Sequence, residues 1–184
     1  MLEEFKESLE RAPIIKKGDY DYFVHPITDG IPALEPKLVN ELAYAVSKVI
    51  NPETEKIVTV EAMGIPIATA LSLKINKPFC IIRKKAYGLE GEVKLKQTTG
   101  YSYSFLYING VEKGEKVAVI DDVLSTGGTI KACVNGLKKI GAKIVDIVVL
   151  IEKGENKEEL EKQIGLKIKS LVKVGIVNGK VKVL

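Results

Sequence analysis

Two adjacent carboxylates precede a turn rich in hydroxyl groups and glycine, a combination that can bind a phosphorylated sugar. Asp121 and Asp122 follow the apolar run VAVI at 117–120. The turn behind them contains Ser125, Thr126, Gly127, Gly128 and Thr129. Carboxylates can hold the vicinal hydroxyls of a sugar, while glycine N–H groups, hydroxyls and a helix N-terminus can hold its phosphate. The spacing therefore predicts one ligand that meets both groups.

Two other phosphate-binding loops fit this stretch less well. A Walker A loop requires a Lys after its last glycine, and Thr129 follows Gly128. The dinucleotide fingerprint G-x-G-x-x-G is absent from the stretch as well. A sugar phosphate is therefore the ligand that the residues favour.

The elements that must position these groups alternate between strands and helices from residue 56 to residue 153. The run VAVI is apolar throughout, as expected for a strand covered on both faces of a parallel sheet, and it places the acids at the edge where such sheets bind ligands. Segments 16–34 and 84–104 are predicted to be irregular, the second with some strand character. Periodicity predicts helices over 2–11, from Pro36 to about 50, 66–75, 128–140 and 155–163, and strands over 56–61, 78–83, 117–120, 142–153, 168–174 and 180–184. The pattern predicts a single α/β domain over 1–184 with a mainly parallel sheet and helices on both faces.

Composition narrows the class of protein. The chain has 184 residues, of which 46% are hydrophobic and 28% charged, as in soluble globular domains. No apolar run approaches the roughly 18 residues of a membrane span, and the N-terminus lacks the apolar core of a signal peptide, so we expect a cytoplasmic protein. The net charge of +4 is spread along the chain, which does not indicate nucleic-acid binding. Cys80 and Cys133 are expected to be small core residues.

The stretch at 117–130 resembles the signature of the type I phosphoribosyltransferases, which bind phosphoribosyl pyrophosphate (PRPP). The similarity extends from about residue 20 to 175. Through YFVHPITDGIP, EAMGIPIATALS and RKKAYGLEGEVKLKQTTGYS it is strongest to the archaeal hypoxanthine/guanine phosphoribosyltransferase subfamily. The resemblance implies the type I fold, a mainly parallel twisted sheet with a small hood to which residues 1–34 contribute. It also implies Mg²⁺ as cofactor, a purine base as second substrate and a homodimer.

The resemblance also implies roles for particular residues. Asp121 and Asp122 would hold the ribose hydroxyls and stabilise positive charge on the ring, and residues 125–129, the phosphate turn, would anchor the 5′-phosphate. Residues Glu61, Ala62, Met63 and Gly64 would form the pyrophosphate loop, because they connect a strand to a helix N-terminus that offers N–H groups. Arg83, Lys84 and Lys85 at the next strand end would reach the pyrophosphate.

Two further segments have expected roles. Residues 84–104 are predicted to be a mobile lid that excludes water during displacement at the anomeric carbon, with Tyr101 and Tyr103 packing down on closure. Base-binding residues are predicted in the hood and at the end of strand 142–153. These candidates are Phe23, Val24, Ile27, Ile151, Glu152 and Lys153. His25, although it could act as an acid or base, is expected to be structural.

The chain departs from its relatives at two positions. Ser125 stands where the common 6-oxopurine enzymes carry an Asp in the phosphate turn, and Thr98 stands where adenine enzymes carry a Glu in the lid. The residue that handles the proton of the base is therefore left open. The missing Glu favours hypoxanthine or guanine as substrate, with adenine or xanthine, or a PRPP-sensing regulator without turnover, as alternatives. A PRPP synthetase would need about two such domains.

Overall fold

The computed structural model describes residues 2–18, 20–99 and 102–184. The helices are α1 (Glu3–Glu10), α2 (Pro26–Asp29), α3 (Pro36–Val49), α4 (Gly64–Ile75), α5 (Gly128–Ile140) and α6 (Lys157–Ile164). The strands are β1 (Ile14–Lys17), β2 (Tyr20–Phe23), β3 (Lys56–Val60), β4 (Phe79–Ile82), β5 (Val93–Thr99), β6 (Ser102–Ile108), β7 (Lys116–Leu124), β8 (Lys143–Lys153), β9 (Lys169–Val177) and β10 (Lys180–Val183). Among the described residues, no helix has the length and apolar character needed to cross a membrane.

The central sheet contains six strands in the order β10-β9-β8-β7-β3-β4. Neighbouring strands are parallel except β9 and β10, which pair antiparallel at one edge. The mainly parallel sheet and the edge position of the last strand confirm the sequence-based prediction. The chain proceeds from β3 outward to β4 on one side and from β7 outward to β8 and β9 on the other. The strand order therefore reverses between β3 and β7, the place where open α/β sheets bind ligands.

Alternate residues of the buried strands face two apolar clusters on opposite sides of the sheet. Ile120 and Val148 belong to the cluster that contains residues of α1, α3 and α4. Val119 and Ile147 belong to the cluster that contains residues of α5 and α6. Helices thus cover both faces of the sheet, as predicted.

Helix α5 has the bounds that the sequence predicts, because a glycine stands at each end. Gly127 precedes the helix with a φ of 78° and Gly141 follows it with a φ of 83°. Both conformations are left-handed and favour glycine. The buried face of the helix consists of Ile130, Ala132, Cys133, Val134, Gly136 and Leu137. Cys133 and Cys80 are both free thiols.

The prediction of irregular structure over 16–34 is wrong in part. Strands β1 and β2 form an antiparallel hairpin, and α2 follows it. Elements of four residues are too short to show a period, so the sequence pattern misses them. These three elements make up the hood.

The strand character predicted within 84–104 is confirmed, but residues 93–99 and 102–104 belong to regular strands instead of a loop. Strands β5 and β6 form an antiparallel hairpin whose residues Leu95, Leu106 and Ile108 are buried in the same cluster as α5. The hairpin packs so closely on α5 that a Cβ on Gly136 would lie 2.6 Å from Leu95 Cδ1. Apolar packing therefore holds the hairpin in place, whereas residues 84–91 are exposed. The predictions about Thr98, Tyr101 and Tyr103 concern side chains outside the described part of the structure.

Candidate active site

The carboxylate pair, Asp121 and Asp122, lies within strand β7 at the edge where the strand order reverses. The strand extends past the predicted run to Leu124, because β8 continues beside it and supplies backbone partners. Asp121 pairs in register with Val149 of β8 and is only 6% exposed. The Asp122 N–H donates a hydrogen bond of 3.1 Å to Asp121 Oδ1. Two parallel strands thus fix the position of both carboxylates.

The electrostatic environment raises the pKa of both carboxyl groups. Burial is the largest cause for each, and the neighbouring Asp122 raises the pKa of Asp121 further. The negative charge of Asp29 in the hood also acts to raise the pKa of Asp122. No lysine or arginine of the described residues forms an ion pair with either group. Buried like charges without a cation are ready to take up a cation or hydroxyl donors from a ligand.

The carboxylate oxygens suit a hard cation such as Mg²⁺. Mg²⁺ binds through one or two carboxylates and fills its other positions with waters and substrate phosphates. Within the described ranges, no group of three or more His, Cys, Asp and Glu side chains could hold a metal ion. The carboxylate pair could therefore share a cation with a phosphorylated ligand.

The phosphate turn leads into the N-terminus of α5. Gly127 is left-handed, and no side chain caps the helix. Because the first N–H groups of a helix lack intrahelical partners, those of Gly128 and Thr129 can bind an anion at the positive end of the helix dipole. A Cβ on Gly127 would lie 2.6 Å from Leu160 Cδ2, so this glycine also allows α6 to pack close behind the turn.

The pyrophosphate loop joins β3 to α4 directly beside the carboxylate pair. Its Glu61–Ala62 peptide bond is cis. Gly64 begins α4 in a space that admits no side chain. A Cβ at this position would lie 2.1 Å from Thr59 Oγ1 and 3.3 Å from Asp121 Oδ1. A glycine is therefore needed for the loop to approach strand β7.

The basic residues after β4 lie against the same loop. Arg83 Nε is 2.6 Å from Glu61 Oε2, an ion pair without the alignment of a hydrogen bond. The backbone N–H of Lys84 donates to Glu61 Oε1 at 2.6 Å. Lys84 and Lys85 are exposed. The Glu61 carboxylate thus supplies a negative charge to the cationic strand end.

These elements surround a cleft of about 410 Å³. Its lining consists of Val60, Glu61, Ala62, Met63, Lys84, Gln97, Ser104, Asp121, Asp122, Val123 and Thr129. Two neighbouring clefts contain the rest of the phosphate turn, with Ser125 and Thr126 in one and Gly127 and Gly128 in the other. The structure thus brings together the carboxylate pair, the pyrophosphate loop and the phosphate turn.

Two residues of the cleft come from the β5–β6 hairpin and were not predicted from the sequence. Gln97 Nε2 donates a hydrogen bond of 2.6 Å to Thr129 Oγ1. The Ser104 hydroxyl donates one of 2.9 Å to Gln97 Oε1. The sequence does contain a signal, because Gln97 lies two and four residues after the inward-facing Leu95 and Val93 in a strand of period two.

Several of the predicted base-binding residues lie elsewhere. Phe23, Ile27 and Ile151 are 5%, 1% and 0% exposed and belong to one apolar cluster. They hold the hood against β8 instead of facing a ligand, so their prediction as base contacts is corrected. Glu152 points to a different cleft, where its carboxylate pairs with Lys157 at 2.9 Å. Its assignment to the base is corrected for the same reason.

Lys153 is the base-binding candidate that reaches both the hood and the phosphate turn. Its Nζ donates a hydrogen bond of 3.0 Å to the Asp21 carbonyl oxygen and lies 5.3 Å from the centre of the Phe23 ring. It lines a cleft of about 480 Å³ together with Ser125 and Thr126. An ammonium group therefore stands between the hood and the turn.

His25 is buried within the hood and has a structural place. Its Nδ1 accepts a hydrogen bond of 3.1 Å from the Ile27 N–H and so caps α2, and its Nε2 lies 2.9 Å from Ser8 Oγ. Burial lowers the pKa of His25 to about 4, so the ring is neutral near pH 7. The neighbouring Val24, also predicted at the base, is half-buried and donates its N–H to the Pro13 carbonyl oxygen at 2.9 Å.

Comparison with known proteins identifies the class to which this fold and site belong. Residues 31–178 match the family model of the phosphoribosyl transferase domain, and the chain belongs to this family. It is 55% identical over 179 residues to the hypoxanthine/guanine phosphoribosyltransferase of Methanocaldococcus infernus, covering 97% of this chain and 98% of the relative. It is 53% identical to the Methanothermus fervidus protein of the same name, over 100% of this chain and 98% of the relative.

Solved structures agree on the fold. The adenine phosphoribosyltransferase of Thermoanaerobacter pseudethanolicus superposes with a TM-score of 0.76 at 23% identity, over 94% of this chain and 99% of that chain. The Saccharomyces cerevisiae adenine enzyme gives a TM-score of 0.71 at 19% identity, over 91% and 98% of the two chains. The type I phosphoribosyltransferase fold expected from the sequence is confirmed.

Proposed function

We propose that this chain transfers the phosphoribosyl group of PRPP to hypoxanthine or guanine and gives IMP or GMP and pyrophosphate, a reaction of purine salvage. The observation that carries the proposal is the meeting of the carboxylate pair, Thr129 of the phosphate turn and the pyrophosphate loop around one cleft. Relatives about as long as this chain and more than half identical to it carry the corresponding name.

The carboxylate pair would hold the ribose. Ionised Asp121 and Asp122 accept hydrogen bonds from two vicinal hydroxyls, and their negative charge stabilises the positive charge that develops on the ring as the pyrophosphate departs. The phosphate turn, residues 125–129, would anchor the 5′-phosphate through backbone N–H groups and hydroxyls. The positioned ribose then presents its anomeric carbon to the base, and most of the rate enhancement comes from this positioning and from electrostatics.

The pyrophosphate would lie between its loop and the basic strand end. Residues 61–64 offer backbone groups at the N-terminus of α4, while Arg83, Lys84 and Lys85 offer positive charge. Because Arg83 is paired with Glu61, an entering pyrophosphate would compete with the Glu61 carboxylate for this cation. We assign Mg²⁺ to the carboxylate pair together with oxygens of PRPP, where it would neutralise the departing pyrophosphate.

Lys153 favours a 6-oxopurine over adenine as the base. Its ammonium group can only donate hydrogen bonds, so it suits a carbonyl oxygen on the base and does not suit the amino group of adenine. Hypoxanthine and guanine carry such an oxygen at the 6-position. Xanthine carries one as well, so Lys153 alone does not separate it from the other two. Hypoxanthine and guanine are preferred on the names of the relatives.

One assay tests this proposal. The protein is incubated with PRPP and Mg²⁺ and with each of hypoxanthine, guanine, xanthine and adenine, and nucleotide formation is followed. We expect IMP and GMP to form with kcat/KM values at least about tenfold above those for adenine. Preference for adenine would overturn the choice of base. Failure to turn over any base would overturn the enzymatic proposal and favour a PRPP-sensing regulator.

We also propose that the chain forms one domain over residues 1–184 and acts as a homodimer in the cytoplasm. Two exposed apolar side chains on adjacent helices, Leu73 at 81% and Tyr44 at 41%, support burial against a second copy. The free thiols of Cys80 and Cys133 are consistent with a reducing compartment. Light scattering at micromolar concentration should give twice the mass of the chain.

A further inference from the structure

A buried amide connects the β5–β6 hairpin to the phosphate turn. Gln97 follows Leu95 on the inward-facing side of β5, yet it is polar and only 8% exposed. A buried amide is unfavourable unless its donors and acceptor are satisfied. Within the described structure its two partners are hydroxyl groups, Thr129 on one side and Ser104 on the other. The two hydrogen bonds indicate that the buried amide of Gln97 serves to orient these hydroxyl groups.

The direction of the hydrogen bonds determines what Thr129 can do. Gln97 Nε2 donates to Thr129 Oγ1 at 2.6 Å, so the Thr129 oxygen serves as the acceptor. Thr129 therefore does not donate its hydroxyl proton to Gln97 and can donate it to another acceptor. Ser104 Oγ donates to Gln97 Oε1 at 2.9 Å and so holds the amide in this orientation. In the reverse orientation the amide oxygen would accept the Thr129 proton and remove it from use elsewhere.

The hydroxyl proton of Thr129 is located where an anion would need it. Thr129 is the second residue of α5, next to N–H groups that have no intrahelical partner. It lines the same cleft as Asp121 and Asp122. A hydroxyl that already accepts one hydrogen bond is also a better donor for the next, because hydrogen bonds in a chain polarise each other.

We propose that Gln97 is a positioning residue that orients the Thr129 hydroxyl to donate to the 5′-phosphate of PRPP. Gln97 does not touch the substrate and acts through Thr129. The inference rests on the proposed function, since it assigns a phosphate to the turn. It further implies that the hairpin supports phosphate binding while it covers the cleft.

Three variants test the inference through PRPP binding and turnover. Gln97→Leu keeps the volume and removes both hydrogen bonds, and Thr129→Val removes the hydroxyl. A hydrogen bond to a charged group is lost in each case, so we expect KM for PRPP to rise about tenfold. Both kcat and KM for hypoxanthine should stay within about twofold, as expected for loss of uniform binding. Because Gln97 acts through the Thr129 hydroxyl, the double variant should match Thr129→Val alone within about twofold.

A pH profile adds a measurement that a merely structural role would not change. In Gln97→Glu the ionised carboxylate accepts from both hydroxyls, so it consumes the Thr129 proton. When it is protonated it can donate to Thr129 again. The ratio of its KM for PRPP to that of the parent should therefore fall as the pH is lowered from about 8 to about 5. Asn109→Ala is the matched control, because it removes a 2.9 Å hydrogen bond to Glu92 beside the same hairpin and should leave KM unchanged.

The outcomes separate this inference from the proposed function. If the parent forms no nucleotide, the proposed function fails, and the same variants are compared by calorimetric titration with PRPP. If the parent is active or binds PRPP but Gln97→Leu leaves KM or Kd unchanged, the inference is wrong. Multiplicative effects in the double variant would also overturn it, because Gln97 would then act independently of Thr129. If Gln97→Leu does not fold, Gln97→Glu and its pH profile decide the question.

Discussion

Two of the clefts in the described structure contain buried carboxylates whose charges are treated in opposite ways. One cleft holds the carboxylate pair at the end of β7. The other, larger at about 780 Å³, lies between α6 and the strands β8 and β9 and is lined by Glu152, Glu161 and several lysines. We call it the lysine-paired cleft. Size alone would favour the second as the binding site, whereas the charges favour the first.

In the lysine-paired cleft the protein neutralises its own acids. Glu152 Oε2 accepts hydrogen bonds from Lys157 Nζ at 2.9 Å and from Ser170 Oγ at 2.6 Å. Burial acts to raise the pKa of Glu152, but these two partners lower it overall. Glu161 has its pKa lowered by Lys167, whose Nζ lies 2.7 Å away. The carboxylates of Glu152 and Glu161 therefore already have partners within the protein and do not need a ligand to supply them.

At the carboxylate pair the effect of burial on the pKa exceeds the effect of hydrogen-bond partners. Burial raises the pKa of both groups, and within the described residues no cation pairs with them. The fold therefore keeps two charges in an unfavourable place, which is what a site does when a ligand supplies the missing partners. Unsatisfied charge therefore favours the carboxylate pair as the place for a ligand, although the lysine-paired cleft is larger.

The largest expected effect comes from Gly64→Ala. Its Cβ would lie 2.1 Å from Thr59 Oγ1, so the pyrophosphate loop must move. A misplacement of about 1 Å in a site can cost roughly a hundredfold in kcat/KM. Thr59 Oγ1 is buried and has no hydrogen-bond partner among the described residues, so its removal loses no hydrogen bond. The double variant Gly64→Ala, Thr59→Ala should regain most of the activity, and failure to do so would argue against a steric cause.

Glu152→Gln tests whether the lysine-paired cleft is structural. We expect the free energy of unfolding at pH 7 to fall by about 1–3 kcal/mol, because Lys157 loses its charged partner. The pKa of Glu152 is lowered in the folded protein, so its contribution exists above about 4.5 and is lost as the pH falls through the folded value. Denaturant unfolding should therefore show that the difference in free energy of unfolding between parent and variant disappears at acidic pH. A constant gap would contradict the ion-pair explanation.

Asp121→Asn should change the free energy of unfolding in the opposite direction to Glu152→Gln and by a smaller amount. Because the folded pKa of Asp121 is raised, its charge destabilises the folded protein increasingly as the pH rises above the unfolded value of about 3.8. We expect the variant to gain about 1 kcal/mol at pH 7, in the absence of metal and substrate, and to match the parent below pH 4. The Asn side chain can still accept from the Asp122 N–H. A loss of stability at pH 7 would show that the carboxylate is satisfied by groups we have not identified.

The sequence predicts best those elements that are long enough to show a regular apolar pattern and that have characteristic residues at their ends. Helix α5 could be bounded to the residue because Gly127 and Gly141 stand at its ends. Strand β7 could be predicted from the continuous apolar run VAVI at 117–120. Both signals are local, so one segment suffices to see them.

The hairpin β5–β6 could not be predicted in the same way. Its polar, glycine-containing sequence is typical of a loop, and its strand conformation depends on packing of Leu95 and Ile108 against Gly136 of α5. The base-binding residues failed for a related reason. Phe23, Ile27 and Ile151 are apolar both in a core and in a purine pocket, and only tertiary contacts separate the two.

The carboxylate pair is tested most directly by the initial rates of Asp122→Asn and Glu152→Gln beside the parent, with hypoxanthine and varied PRPP. Asp122→Asn should lower kcat/KM by at least about tenfold, because a charge that holds the ribose is lost. Glu152→Gln should remain within about twofold of the parent at a temperature where all three proteins are folded. Unchanged kinetics for Asp122→Asn, or an equal loss in both variants, would contradict the assignment of the carboxylate pair as the catalytic centre.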